Sequence, residues 1–78
     1  PNPFNPSTKI SFGIPKSEMV NITVYDVTGS VAAVLINKRM DAGEHEITFD
    51  GAGLSSGVYF YTIRTNGFTS TKKMILSK

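Results

Sequence analysis

Apolar and polar positions alternate over much of the chain, in short runs rich in β-branched and aromatic residues separated by Gly, Asn, Asp, Ser and Pro. No apolar period of 3.6 residues outlasts a turn or two, so the pattern predicts an all-β fold. The clearest alternation covers residues 19–25, where Val20, Ile22 and Val24 share one side while Asn21 and Thr23 share the other. That is a half-buried strand. Before it, residues 9–12 place Ile10 and Phe12 on one face, and Pro15 ends the pairing. After it, Asp26-Val27-Thr28-Gly29 predicts a tight turn, because the Asp26 side chain accepts local N–H groups and Gly29 takes a positive φ without steric cost. The chain returns through residues 30–36, where Ala32-Ala33 interrupts the alternation and leaves the register open. Residues 37–43 read as polar and irregular, and residues 44–49 alternate again, with His45, Ile47 and Phe49 opposing Glu46 and Thr48.

The stretch from Asp50 through Gly51, Gly53 and Leu54 to Gly57 is too rich in glycine for a strand and predicts a crossing loop. Residues 58–65 and 68–76 are joined by Asn66-Gly67, a pair suited to the positive φ angles of a type I′ hairpin turn. A two-residue turn sets Ile63 opposite Ser70, Tyr61 opposite Lys72 and Tyr59 opposite Met74. One face of the ribbon then carries Tyr59, Tyr61, Ile63, Met74 and Leu76; the other carries Val58, Phe60 and Ile75 beside Thr62, Arg64 and Lys73. Either a bulge re-phases one strand, or an apolar patch is left outside. Leu54-x-x-Gly57-x-Tyr59 has the arrangement of a tyrosine corner, in which a tyrosine hydroxyl folds back onto the backbone where the chain changes sheets. The expected fold is therefore a small immunoglobulin-like β-sandwich of six or seven antiparallel strands. Residues 1–7, with three prolines, are an extended lead-in that Phe4 anchors, and residues 8–78 form the sandwich.

Length and charge narrow the function. Seventy-eight residues make one domain near the size where a core only just offsets chain entropy, which excludes most enzymes. Cysteine is absent, so no disulfide or thiolate metal site supports the fold, and the compartment stays open. A net charge of +2 is mild for a nucleic-acid or anionic-membrane binder. With that charge no nucleic-acid partner is expected, and because no run reaches transmembrane length no membrane insertion is expected; no signal-peptide pattern opens the chain. Catalytic material is thin: His45 is the only histidine and lies between Glu44 and Glu46, whose side chains point to the opposite face. Asp41, Glu44 and Glu46 lack calcium-loop spacing, and Gly51-x-Gly53 lacks the following helix of a phosphate loop. No catalytic residue, metal site or cofactor is expected. Lys72, Lys73 and Lys78 make the last segment basic, suited either to keeping an edge strand from aggregating or to being read by a receptor.

Taken in order, Pro1-Asn2-Pro3-Phe4-Asn5-Pro6-Ser7-Thr8, Val24-Tyr25-Asp26-Val27-Thr28-Gly29, Ala42-Gly43-Glu44-His45, Leu54-Ser55-Ser56-Gly57-Val58-Tyr59-Phe60-Tyr61 and Lys72-Lys73-Met74-Ile75-Leu76-Ser77-Lys78 resemble the carboxyl-terminal sorting domains of the type IX secretion system, found at the ends of large secreted proteins of Bacteroidetes. Ser30 departs from the Arg that often follows the turn glycine in that family. The sandwich is also similar to that of flagellar hook-capping proteins. The resemblance implies a non-catalytic address domain, attached to an N-terminal cargo and carried to the cell surface or beyond. It implies recognition by an outer-membrane barrel receptor and processing by a sortase-like peptidase. Lys72, Lys73, Ile75, Leu76 and Lys78 would then form the recognised segment, with Gly29, Leu54, Gly57, Tyr59, Asn66 and Gly67 as its scaffold. The rival is a carbohydrate-binding or spacer module of a secreted enzyme, which needs exposed aromatic rings; Trp is absent, and Tyr59 and Tyr61 are expected to face the core.

Overall fold

A computed structural model describes residues 6–78. Among these residues every regular element is a strand: β1 (Ser7–Ile14), β2 (Glu18–Asp26), β3 (Val31–Met40), β4 (Gly43–Asp50), β5 (Gly57–Arg64) and β6 (Thr69–Leu76). They form two antiparallel sheets, a pair ordered β1-β4 and a quartet ordered β3-β2-β5-β6, stacked as a small β-sandwich of six strands. The inward-facing residues of both sheets make one core. Ile10, Phe12, Ile14 and Phe49 come from the pair; Val20, Ile22, Val24, Ile36, Tyr59, Ile63 and Leu76 come from the quartet. Ile10, Ile22, Val20 and Val24 are almost completely buried, and each such side chain contributes about 1.5–3 kcal/mol of transfer free energy. Pro6 is also buried, and its carbonyl accepts the Gly51 N–H at 2.9 Å. The anchoring role expected of Phe4 lies outside the described residues.

β3 departs from expectation. It continues to Met40, where an irregular polar stretch was expected, because Asn37, Lys38 and Arg39 pair with Asn21, Val20 and Met19 at an edge of the sheet that leaves their side chains in water. The broken alternation around Ala32-Ala33 has a structural cause: the register with β2 shifts twice, and Leu35 and Ala32 have no partner opposite them.

The β2–β3 turn forms as expected, with Gly29 at φ +86° and its N–H donating to the Asp26 carbonyl at 3.0 Å. One carboxylate oxygen of Asp26 accepts the Thr28 hydroxyl at 2.6 Å, the Thr28 N–H at 2.9 Å and the Ser30 N–H at 3.1 Å. These bonds, the Thr28 hydroxyl first, hold the Asp26 carboxyl below its ordinary pKa.

The β5–β6 hairpin has the expected register, with Ile63 opposite Ser70, Tyr61 opposite Lys72 and Tyr59 opposite Met74. Its turn differs from type I′, since neither Asn66 nor Gly67 has a positive φ. The turn is closed by side chains instead. The Thr65 hydroxyl accepts the N–H groups of Gly67 at 3.1 Å and Phe68 at 3.2 Å, and the Glu18 carboxylate accepts the Asn66 N–H at 3.0 Å. Glu18 is only 3% exposed, so an acid buried at the start of β2 fastens the turn that follows β5, three strands on in sequence.

Two outcomes follow. Glu18→Ala leaves the Asn66 N–H without its acceptor and should lower stability by about 1.5–3 kcal/mol, the range for a hydrogen bond to a charged group, with Glu18→Gln losing less. Urea unfolding of the three proteins reads this directly. Asp26 has a folded pKa below its unfolded value of about 3.9, so its contribution is complete above that value and disappears as pH falls through the folded one. Asp26→Asn should lack this part of the acid-induced loss; an unfolding midpoint that falls equally in both proteins below about pH 4 would remove Asp26 as its cause.

Candidate functional site

The terminal ribbon is positioned by pairing on one side only. Among the described residues β6 is hydrogen-bonded to β5 alone and forms an edge of the quartet, so its other side offers backbone groups that no described strand pairs. Alternation divides its side chains. Met74 and Leu76 turn inward, while Lys73 and Ile75 turn outward, with Ile75 66% exposed. Lys72 stands opposite Tyr61, on the inward-facing side, yet is exposed at the margin of the core. Leu76 is 5% exposed and holds the strand to the core. β5 and β6 pair without a bulge from Gly57 to Arg64, so the apolar residues of the second face do remain outside.

The tail beyond β6 is fastened to the loop between β4 and β5. The Lys78 N–H donates to the Ser56 hydroxyl at 3.1 Å, and the Lys78 Nζ donates to the Ala52 carbonyl at 2.6 Å. Leu76 packs so closely on Gly51 that a Cβ there would lie 2.7 Å from its Cδ1. The loop is itself braced. The Tyr59 hydroxyl donates to the Ser55 carbonyl at 2.7 Å, the bond expected of a tyrosine corner, and the Leu54 N–H donates to the Gly51 carbonyl at 2.9 Å. Leu54 is half-buried against the core, and Gly57 begins β5 with φ +153°.

Of the residues singled out in the sequence, Lys72, Lys73, Ile75, Leu76 and Lys78 lie along one edge. Gly29, Leu54, Gly57 and Tyr59 sit at the same end of the sandwich as the tail, since Asp26 pairs with Tyr59 and Gly57 with Leu76. Asn66 and Gly67 mark the opposite end. Sequence reasoning missed Glu18 and the loop acceptors Ala52, Ser55 and Ser56. Glu18 did carry a signal: it shares the parity of Val20, Ile22 and Val24, which is the core side.

His45 stacks on Phe12 at 5.4 Å between ring centroids, and its Nε2 lies 2.7 Å from the Asp41 carbonyl oxygen. Among the described residues no group of three His, Cys, Asp or Glu is placed to hold a metal ion, and no pocket opens. Tyr59 is 8% exposed and Tyr61 packs against the core, so neither ring offers a flat face to a sugar.

Residues 1–77 match the family described as the secretion system C-terminal sorting domain. No curated protein and no solved structure matches the chain.

Tyr59→Phe removes the hydroxyl that braces the crossing loop and leaves the Ser55 carbonyl without this donor. A loss of about 1 kcal/mol is expected by chemical denaturation. Amide hydrogen exchange should also quicken at Lys78, whose N–H depends on the same loop; unchanged exchange there would mean that loop and tail are independent.

Proposed function

The chain belongs to the family of secretion system C-terminal sorting domains, and from that premise we propose that its last strand is the element the export machinery reads. The domain is a non-catalytic sorting signal of type IX secretion. It is attached to a cargo chain, interacts with the secretion machinery, and directs export through the outer membrane to the cell surface or beyond. The finer reading assigns recognition to an outer-membrane barrel receptor and later processing to a sortase-like peptidase. Residues 1–7 serve as the lead-in from the cargo and residues 8–78 as the folded label.

One observation carries this reading: β6 is an edge strand whose Lys72, Lys73 and Ile75 side chains are exposed while Leu76 ties it to the core. A partner can therefore meet both side chains and an open backbone edge without unfolding the domain. In this reading Leu76 and the bonds of Lys78 fix the strand's place, and Gly57, Leu54 and Tyr59 hold the crossing loop beneath it. Gly29 closes the adjacent turn, and Asn66 with Gly67 closes the ribbon at its far end.

The test fuses residues 1–78 to a periplasmic reporter in a type IX-competent cell, with and without residues 75–78. The truncated fusion should lose surface delivery. Because truncation also removes the buried Leu76, the paired variant Lys72→Ala, Lys73→Ala serves beside it; both positions are exposed, so its thermal unfolding should match wild type while export falls. Equal export of all three fusions would overturn the assignment.

A further inference from the structure

The outer face of the four-stranded sheet has no layer over it among the described residues. The strand registers place Val31, Tyr25, Phe60 and Lys73 in one row across it, and Val58 beside Ile75 in the next. Four strands span about 14 Å between the axes of the outermost two. Val31 and Ile75 are largely exposed, and Tyr25, Val58 and Phe60 are half-exposed, so five apolar side chains gather at this end of the face, while Met19, Val27, Val34 and Phe68 are exposed elsewhere on the domain.

Its charges all have one sign. The outward positions of the four strands that carry charge are Arg39, Arg64 and Lys73, and none carries a carboxylate. The acids lie elsewhere: Glu44, Glu46 and Asp50 on β4, Asp41 before it, Asp26 in its turn and Glu18 inside. The one ion pair among the described residues, Lys9 with Glu46 at 3.7 Å, belongs to the other sheet. Arg64 is also held in place. It stands opposite Asn21 and reaches past the Thr23 and Thr62 row, its Nη1 donating to the Tyr25 hydroxyl at 3.0 Å and its guanidinium carbon 5.8 Å from the Tyr25 ring centre. A guanidinium fixed against an aromatic ring keeps its remaining N–H donors in one plane, the geometry that meets a carboxylate with two bonds.

We propose that this face is a docking surface for a carboxylate-bearing protein surface, with Ile75, Phe60 and Tyr25 as the apolar contact and Arg64 and Lys73 as the charged rim. The proposal rests on the sorting reading and adds to it the side of the domain that meets the partner. Charge selects the occupant. An anionic bilayer returns about 1 kcal/mol for each basic residue near it, so three cations on a flat sheet hold it weakly. Carboxylates presented at fixed positions by a protein satisfy the Arg64 fork while apolar side chains cover Ile75.

The test uses the reporter fusion in exporting cells, with Arg64→Glu and Lys73→Glu made singly and Lys16→Glu, exposed in the turn before β2, as the charge control. Each of the first two should lower surface delivery by about tenfold or more, the scale of like charges forced together at an interface, and the control should match wild type. Ile75→Ser, at an exposed position, should lower delivery without altering thermal unfolding. A photo-cross-linking residue at position 75 should label a protein at a peptide containing Asp or Glu. Full export of Arg64→Glu by cells that export the unmodified fusion would overturn the docking face alone, whereas full export of Lys73→Glu would overturn the docking face and the last-strand reading together. Cross-linking to lipid, to a second copy or to an acid-free peptide, or binding of the fusion to phosphatidylglycerol vesicles that Lys73→Glu abolishes, would overturn the docking face alone. Failure of the unmodified fusion to leave the periplasm would sink the sorting reading and the docking face with it.

Discussion

The contact between Leu76 and Gly51 joins parts of the chain that otherwise belong to different sheets. Leu76 ends β6 in the four-stranded sheet; Gly51 leaves β4 in the two-stranded one and also donates its N–H to the Pro6 carbonyl. A side chain at position 51 would occupy the space the Leu76 methyls fill, so the absence of a Cβ is what lets the last strand close over the crossing. The start of β1, the exit of β4 and the end of β6 thereby meet at one end of the sandwich. Tyr59 and Lys78 then brace the same loop from either side, through Ser55, Ser56 and Ala52. In a domain this small, with no disulfide to hold its ends, such convergence replaces a covalent staple.

What the sequence made legible was what depends on near neighbours and on parity. The tyrosine corner is a local spacing, and its bond lies where the spacing put it. The ribbon register follows from the length of the turn, whatever the turn's type, which explains why the pairing was readable although the type was not. The type depended on Thr65 and Glu18, whose oxygens take the N–H groups of residues 66–68 and remove the need for left-handed backbone. β3 was obscure for a related reason. Two unpaired residues erase its period, and its polar half is a strand only because β2 lies beside it. The contact of Arg64 with Tyr25 joins residues 39 positions apart, across a β2–β5 adjacency that no local pattern announces.

Segregation of charge gives the two sheets different characters. β4 carries Glu44, Glu46 and Asp50, with the Lys9 pair beside it, whereas the outward positions of the larger sheet hold cations, neutral polar residues and apolar side chains but no carboxylate. Exposed ion pairs add little to folding stability, so the unpaired cations of the larger sheet cost the fold little. Their effect lies in the field they project, which falls off over about 8–10 Å in physiological salt and so acts on a partner already close to the sheet.

The same alternation that builds the core also separates holding from presentation along β6. Met74 and Leu76 secure the strand, and the intervening Lys73 and Ile75 face outward, so one eight-residue strand serves both purposes without conflict. The arrangement depends on register. A slip of one residue would drive Lys73 and Ile75 into the core and push Met74 and Leu76 into water, reversing what a partner meets. β6 is pinned against that slip at both ends. At one end the N–H groups of residues 66–68 are taken by the Thr65 hydroxyl and Glu18; at the other, Leu76 fits against Gly51 and Lys78 bonds to the crossing loop. The buried acid at the start of β2, distant from the exposed lysines and making no contact with them, thus helps decide which side chains the last strand displays.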